Sequence, residues 1–163
     1  MKIVVLSGGI SPERDVSLSS GAMIANALAE KGHAVVNVDS FLGIEAPAEG
    51  LESLFKKLPE YQPQFLNVPS EPPDLEKVRA DRKPDTGCNF GQNVLELCRL
   101  ADVVFIALHG EGGEDGQVQA TFDQMNVRYI PREPRTASGT PTMPTSPASS
   151  SAGECPMELP AAK

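Results

Sequence analysis

The first forty residues constrain the fold most. Ile3-Val4-Val5-Leu6 is an unbroken apolar run with three β-branched residues, and Ser7-Gly8-Gly9 closes it. A strand with no polar alternation is buried on both faces, the mark of a parallel sheet. Pro12 then suits a helix entry, and Glu13 and Asp15 suit the positive end of a helix dipole. The sequence predicts a helix starting near 13–17 and running to about Lys31, with Gly32 as its stop. Val16, Ser20, Met23, Ile24, Ala27, Leu28 and Lys31 fall at helical spacing, the smaller and apolar ones forming one face. Ala34-Val35-Val36-Asn37-Val38-Asp39 reads as the next strand. Strand, helix and strand in so short a span make a right-handed βαβ unit.

Beyond it, residues 44–90 are less regular. Leu51, Leu54, Phe55 and Leu58 suggest a short helix, and Pro63, Pro69, Pro72, Pro73 and Pro84 rule out long elements. Gln92 to Leu100 reads as a helix with Val94, Leu95, Leu97 and Cys98 toward the core. Asp102 to Leu108 reads as a third buried strand, Gln117 to Met125 as a helix, and Val127 to Ile130 as a fourth strand. From Pro131 the character changes, because 23 of the last 33 residues are Pro, Ser, Thr, Ala or Gly. Such a segment cannot bury enough apolar surface to offset its ordering entropy, so 131–163 is expected to be a disordered tail.

A chain of 163 residues holds one domain with a sizeable core. Its net charge of -8 argues against nucleic-acid binding, which needs a basic face. Cys88, Cys98 and Cys155 are too scattered for a zinc site or redox pair, and suit free thiols in a reducing compartment. The opening apolar run is too short for a signal sequence or membrane span, which gives a cytoplasmic expectation with no membrane partner.

Two loops stand at the carboxyl ends of predicted parallel strands, where open α/β sheets place ligands. The first runs from Ser7 to Ser17. Its glycine turn at a helix start can present N–H groups to an anion such as a substrate carboxylate, and Glu13 can pair with a substrate ammonium. It can equally be a tight turn with a dipole-stabilising glutamate. Neither nucleotide-phosphate fingerprint is present in it. The second runs from His109 to Ala120, with four glycines within Gly110–Gly116. His109 at a strand end can bond a polar ligand or be a satisfied half-buried side chain, while Glu114 and Asp115 can cap the following helix. The other histidine, His33, lies too far off for a shared metal.

His109-Gly110 followed by Gly113-Glu114-Asp115-Gly116 is similar to the N-terminal signature of D-alanine–D-alanine ligases. Gly8-Gly9-Ile10-Ser11-Pro12-Glu13-Arg14-Asp15-Val16-Ser17-Leu18-Ser19-Ser20-Gly21 resembles the same family's opening motif. The resemblance covers about residues 1–130, loosest over 44–90. It implies an α/β, three-layer Rossmann-like domain with a parallel sheet of about four strands, and a family that joins two D-alanines for peptidoglycan synthesis with ATP and Mg2+ through an acyl phosphate. It further implies that Glu13 is the catalytic-site residue holding the first D-alanine by its amino group, that Val16 and Ser17 belong to the same site, that His109 lines the pocket, and that the protein is a homodimer. The family's ATP- and magnesium-binding residues come from later domains and have no counterpart in 131–163.

The leading expectation is therefore a ligase N-terminal domain, truncated before the ATP-grasp domain by a frameshift or gene-prediction error, and inactive alone. A stand-alone small-amino-acid-binding module, or one half of a split ligase, is the reading from another class. A flavodoxin-like or dinucleotide-binding redox domain is disfavoured by the missing phosphate fingerprint.

Overall fold

Strand β1 (Lys2–Ser7) is an inner strand because both of its faces are apolar. Val4, Val5 and Leu6 are wholly buried, and each such side chain contributes about 1.5–3 kcal/mol by leaving water. The computed structural model describes residues 1–56, 68–69, 71–82, 88–110, 113 and 115–130. Backbone proximity divides the chain into Met1–Glu133 and Pro134–Lys163, and every described residue belongs to the first unit. The expected disordered tail lies outside the described residues.

Helix α1 (Arg14–Glu30) follows β1 and leads to β2 (Ala34–Asp39). A 3-10 turn (Leu51–Lys56), α2 (Leu75–Asp81), α3 (Val94–Leu100), β3 (Val103–Ile106), α4 (Gln117–Gln124) and β4 (Tyr129–Ile130) complete the order. The strands form one all-parallel sheet in the order β2-β1-β3-β4. Val4 pairs with Val36 on one side and with Val104 on the other. The α/β expectation of about four parallel strands is met.

The pleat of β1 divides the core into two layers. Ile3 and Val5 face α1, together with Ala25, Val35 and Ala107. Val4 and Leu6 face the opposite layer, built from Leu51, Phe55, Val94, Leu97, Val118 and Phe122 of the 3-10 turn, α3 and α4. Three layers result.

The buried side of α1 differs from the expected stripe. Arg14, Ser17, Ser19, Gly21, Ala22 and Ala25 are buried, whereas Val16 and Met23 are exposed. Closeness to the sheet is the reason. A Cβ at Gly21 would lie 2.5 Å from Ser7 Cβ, so small residues must face the strands and larger ones turn outward.

Other differences sit at element ends. β3 and β4 are shorter than expected: β3 pairs with β1 over Val103–Ile106, and with β4 only at Val104 and Phe105. The segment 44–90 yields the 3-10 turn, and also α2, which the sequence reading did not anticipate. Leu58, expected in the short helix, lies outside the described residues. Arg82 fixes the segment after α2, donating to the carbonyls of Cys88 (2.6 Å) and Phe90 (2.7 Å) and stacking 4.4 Å from the Phe41 ring centroid. Among the described residues no helix is long and apolar enough to cross a membrane.

Candidate functional site

In the order β2-β1-β3-β4, the chain leaves β1 toward one neighbour and later returns on its other side. The crevice between the carboxyl ends of β1 and β3 is thus the topological switch point, where such sheets hold ligands. Both glycine-containing loops flank it. A cavity of about 190 Å3 opens there, with Gly8, Gly9, Ser40, Arg79, Asn89 and His109 in its wall. A larger cavity of about 320 Å3 lies at the opposite end, beside Ala101, Asp102 and Arg128, away from both loops. The smaller one lies between the two loops.

The first loop leaves β1 through Gly8 (φ +76°) and Gly9 (φ +85°), a left-handed pair that other residues resist. A side chain at Gly8 would also run into the Asp39 carboxylate. Arg14 holds the loop's far end. Its Nη1 donates to the Gly9 carbonyl (2.6 Å), and its Nη2 forms an ion pair with Asp39 Oδ2. Asp39 Oδ1 accepts from the N–H groups of Phe41 (2.9 Å) and Leu42 (3.0 Å). The pair is largely buried, with side-chain exposures of 8% and 14%. Removing one partner from such a pair costs about 3–5 kcal/mol, because the other charge is left desolvated.

Two serine hydroxyls tie this loop to the segment that follows β3. Ser11 Oγ donates to the His109 carbonyl (3.0 Å), and Ser17 Oγ donates to the Ala107 carbonyl (2.8 Å). Glu13 stands between these ties, at the N-cap of α1, and makes no side-chain capping bond. A Cβ at Gly110, itself at φ +70°, would come within 3.4 Å of Glu13 Oε2, so this carboxylate lies against the start of the second loop. His109 is half-buried in the cavity wall.

Of the four residues singled out by sequence, His109 lines the cavity, and Glu13, exposed and outside its wall, lies against the adjoining Gly110. Ser17 is fully buried with its hydroxyl on the Ala107 carbonyl just after β3, and Val16 is exposed on the first turn of α1. In the second loop, Asp115 Oδ1 accepts from the Gln117 N–H (3.1 Å) at the start of α4, while Glu111, Gly112 and Glu114 lie outside the described residues. Among the described residues no cluster of three His, Cys, Asp or Glu side chains could hold a metal ion.

A profile of the D-ala D-ala ligase N-terminus family matches residues 2–131. The chain belongs to the D-ala D-ala ligase N-terminus family. It is 43% identical over 132 residues to the D-alanine–D-alanine ligase of Lacticaseibacillus casei, covering 79% of this chain and 36% of that protein. It is 44% identical over 133 residues to the ligase of Pediococcus pentosaceus, with coverages of 79% and 36%. Against that of Halalkalibacterium halodurans it is 34% identical over 131 residues, covering 80% of this chain and 27% of the relative. The chain thus spans about a third of the length of the ligases it matches.

Sequence reasoning missed Arg14, Asp39, Arg79 and Asn89. Arg14 carried a usable signal. A cation in the first turn of a helix sits at the unfavourable end of the dipole, so its presence there calls for a partner elsewhere. Arg79 and Asn89 come from the irregular stretch, where no periodicity indicated which side chains turn toward the crevice.

Proposed function

We propose that this chain is the part of a D-alanine–D-alanine ligase that receives the first D-alanine. The Glu13 carboxylate takes the ammonium group, and His109 lines the pocket. The first turn of α1, Val16 and Ser17, completes the site, with Ser17 fixing that turn against Ala107 just after β3. One observation carries the reading: the Ser11 Oγ to His109 carbonyl bond joins the two family motifs, so that the exposed Glu13 lies against Gly110, next in the chain to His109 of the cavity wall. An ammonium in this crevice meets a carboxylate free of capping duty, and a charge-assisted pair there is about twice as strong as a neutral hydrogen bond.

In this reading the ATP- and magnesium-dependent joining of two D-alanines for peptidoglycan belongs to the whole ligase, in the cytoplasm where ATP is supplied, and as a dimer. A polypeptide of these 163 residues alone binds D-alanine and neither hydrolyses ATP nor forms the dipeptide. Stabilising the transferring phosphoryl group demands cationic groups, which in this reading the rest of the ligase supplies.

Titration of the isotope-labelled chain with D-alanine, followed by NMR, tests the site. Shifts are expected at Gly8, Gly9, His109 and Gly110, with at least about tenfold weaker binding in Glu13→Gln, equivalent to about 1.4 kcal/mol. A glutamate serving only the helix dipole would contribute about 0.3–1 kcal/mol to stability and nothing to binding. Unchanged affinity in Glu13→Gln would return it to that role. D-alanine-dependent phosphate release from ATP by this chain would refute the division of labour.

A further inference from the structure

We propose that Arg14 and Asp39 form the positioning pair of the D-alanine site, setting where the Glu13 carboxylate stands without touching the substrate. The inference rests on the reading of Glu13 as the ammonium anchor.

Three observations lead to it. Arg14 occupies the first turn of α1, where a cation opposes the helix dipole, yet it is buried rather than extended into solvent. Its fork is divided between two elements: one nitrogen on the Gly9 carbonyl, the other on Asp39 at the end of β2. The Asp39 carboxylate is occupied on both oxygens, by Arg14 and by the N–H groups of Phe41 and Leu42. These bonds use the fork and the carboxylate in holding the loop, and leave the pair buried below the crevice.

What the pair holds is the segment that carries Glu13. The Arg14 N–H donates to the Ser11 carbonyl (3.0 Å), and the Ser17 N–H to the Glu13 carbonyl (3.0 Å). The side chain of Arg14 then returns to Gly9, closing residues 9–14 into a ring with Glu13 on its rim. The Ser11 hydroxyl fastens that ring, and the Ser17 hydroxyl the helix turn beside it, to the segment just after β3, and Asp39 fastens the ring to β2. Gly8 belongs to the same device, since any side chain there would displace the Asp39 carboxylate. Lysine cannot replace arginine here, because a single ammonium lacks the rigid planar fork that spans two acceptors.

A double-mutant cycle on the 163-residue chain tests the pair, with D-alanine affinity read by NMR titration of the folded protein and melting temperature recorded beside it. Arg14→Lys and Asp39→Asn are each expected to weaken D-alanine binding about tenfold. In a Glu13→Gln background the same replacements are expected to change affinity by less than about twofold, because the group they position is gone. A merely structural pair would lower the melting temperature and leave affinity unchanged, or weaken it equally in both backgrounds. Either result overturns the proposal while leaving the Glu13 reading intact. A Glu13→Gln chain that binds as the unaltered chain does overturns both. Should Arg14→Lys fail to fold, Asp39→Asn carries the test, since its amide oxygen still accepts from Phe41 and Leu42.

Discussion

Gly21→Ala sets two known effects against each other inside α1. Alanine is favoured over glycine in a helix interior by about 0.8–1.0 kcal/mol, so an exposed position would gain stability. At Gly21 the added methyl carbon would lie 2.5 Å from Ser7 Cβ, 2.9 Å from Ser7 Oγ and 3.2 Å from Asn37 Oδ1. Carbon atoms rest about 3.5–4.0 Å apart, so α1 must retreat by roughly 1 Å from β1. Overpacking of this kind costs about 1–3 kcal/mol. Retreat also stretches the Ser17 Oγ to Ala107 bond one turn away, now 2.8 Å and worth about 1 kcal/mol. The balance is a loss of about 1–2 kcal/mol, which lowers the melting temperature by about 3 °C or more for a domain of this size. Urea and thermal unfolding followed by circular dichroism measure it. A Gly21→Ala chain as stable as the unaltered one, or more stable, would refute the account of why α1 presents small residues to the sheet.

Four further outcomes follow from the same geometry. Ser17→Ala is expected to lose about 1–3 kcal/mol, because the buried Ala107 carbonyl loses its side-chain donor; a loss below about 0.5 kcal/mol in urea would show that the bond is idle. Gly8→Ala should destabilise more than Gly32→Ala, since both glycines have positive φ and lose about 1–2 kcal/mol to strain, but only Gly8 also meets a carboxylate; equal losses would mean that Asp39 gives way freely. Cys98 is fully buried, and burial pushes its thiol up to about 12, so alkylation assayed by mass spectrometry should reach it only on unfolding. The same shift makes stability fall as pH rises above about 9, because the unfolded thiol ionises while the folded one stays protonated; the slope approaches about 1.4 kcal/mol per pH unit and should flatten in Cys98→Ala, while Tyr129, also raised by burial and by Asp123, adds to the decline only at higher pH.

The sheet was legible because β1, β2 and β3 are written in residues that suit burial on both faces, and β2 spans the residues that its apolar run predicts. The orientation of α1 was not, since its core-facing side contains Arg14, Ser17 and Ser19, whose burial depends on partners that hydropathy ignores. α2 escaped for the converse reason. It buries no residue, so it has no apolar stripe, although Asp74 after two prolines, accepting from the Lys77 N–H at 3.1 Å, is a recognisable helix start. For the site, the two loops could be found separately as motifs. Their joining could not, because it rests on bonds between residues far apart in sequence.

Those bonds also govern when a site can exist during synthesis. Ser11 reaches a carbonyl 98 positions ahead of it, and Ser17 one 90 positions ahead. A nascent chain that has completed β1, α1 and β2 holds the first glycine turn and the Arg14–Asp39 pair, but no wall for the crevice and no acceptor for either hydroxyl. Closing so long a loop has an entropic cost that must be met before its contacts form, so the crevice is among the later features to appear. In the proposed reading of the site, D-alanine should therefore act as a reporter of completed folding, protecting only chains in which β3 has already docked beside β1.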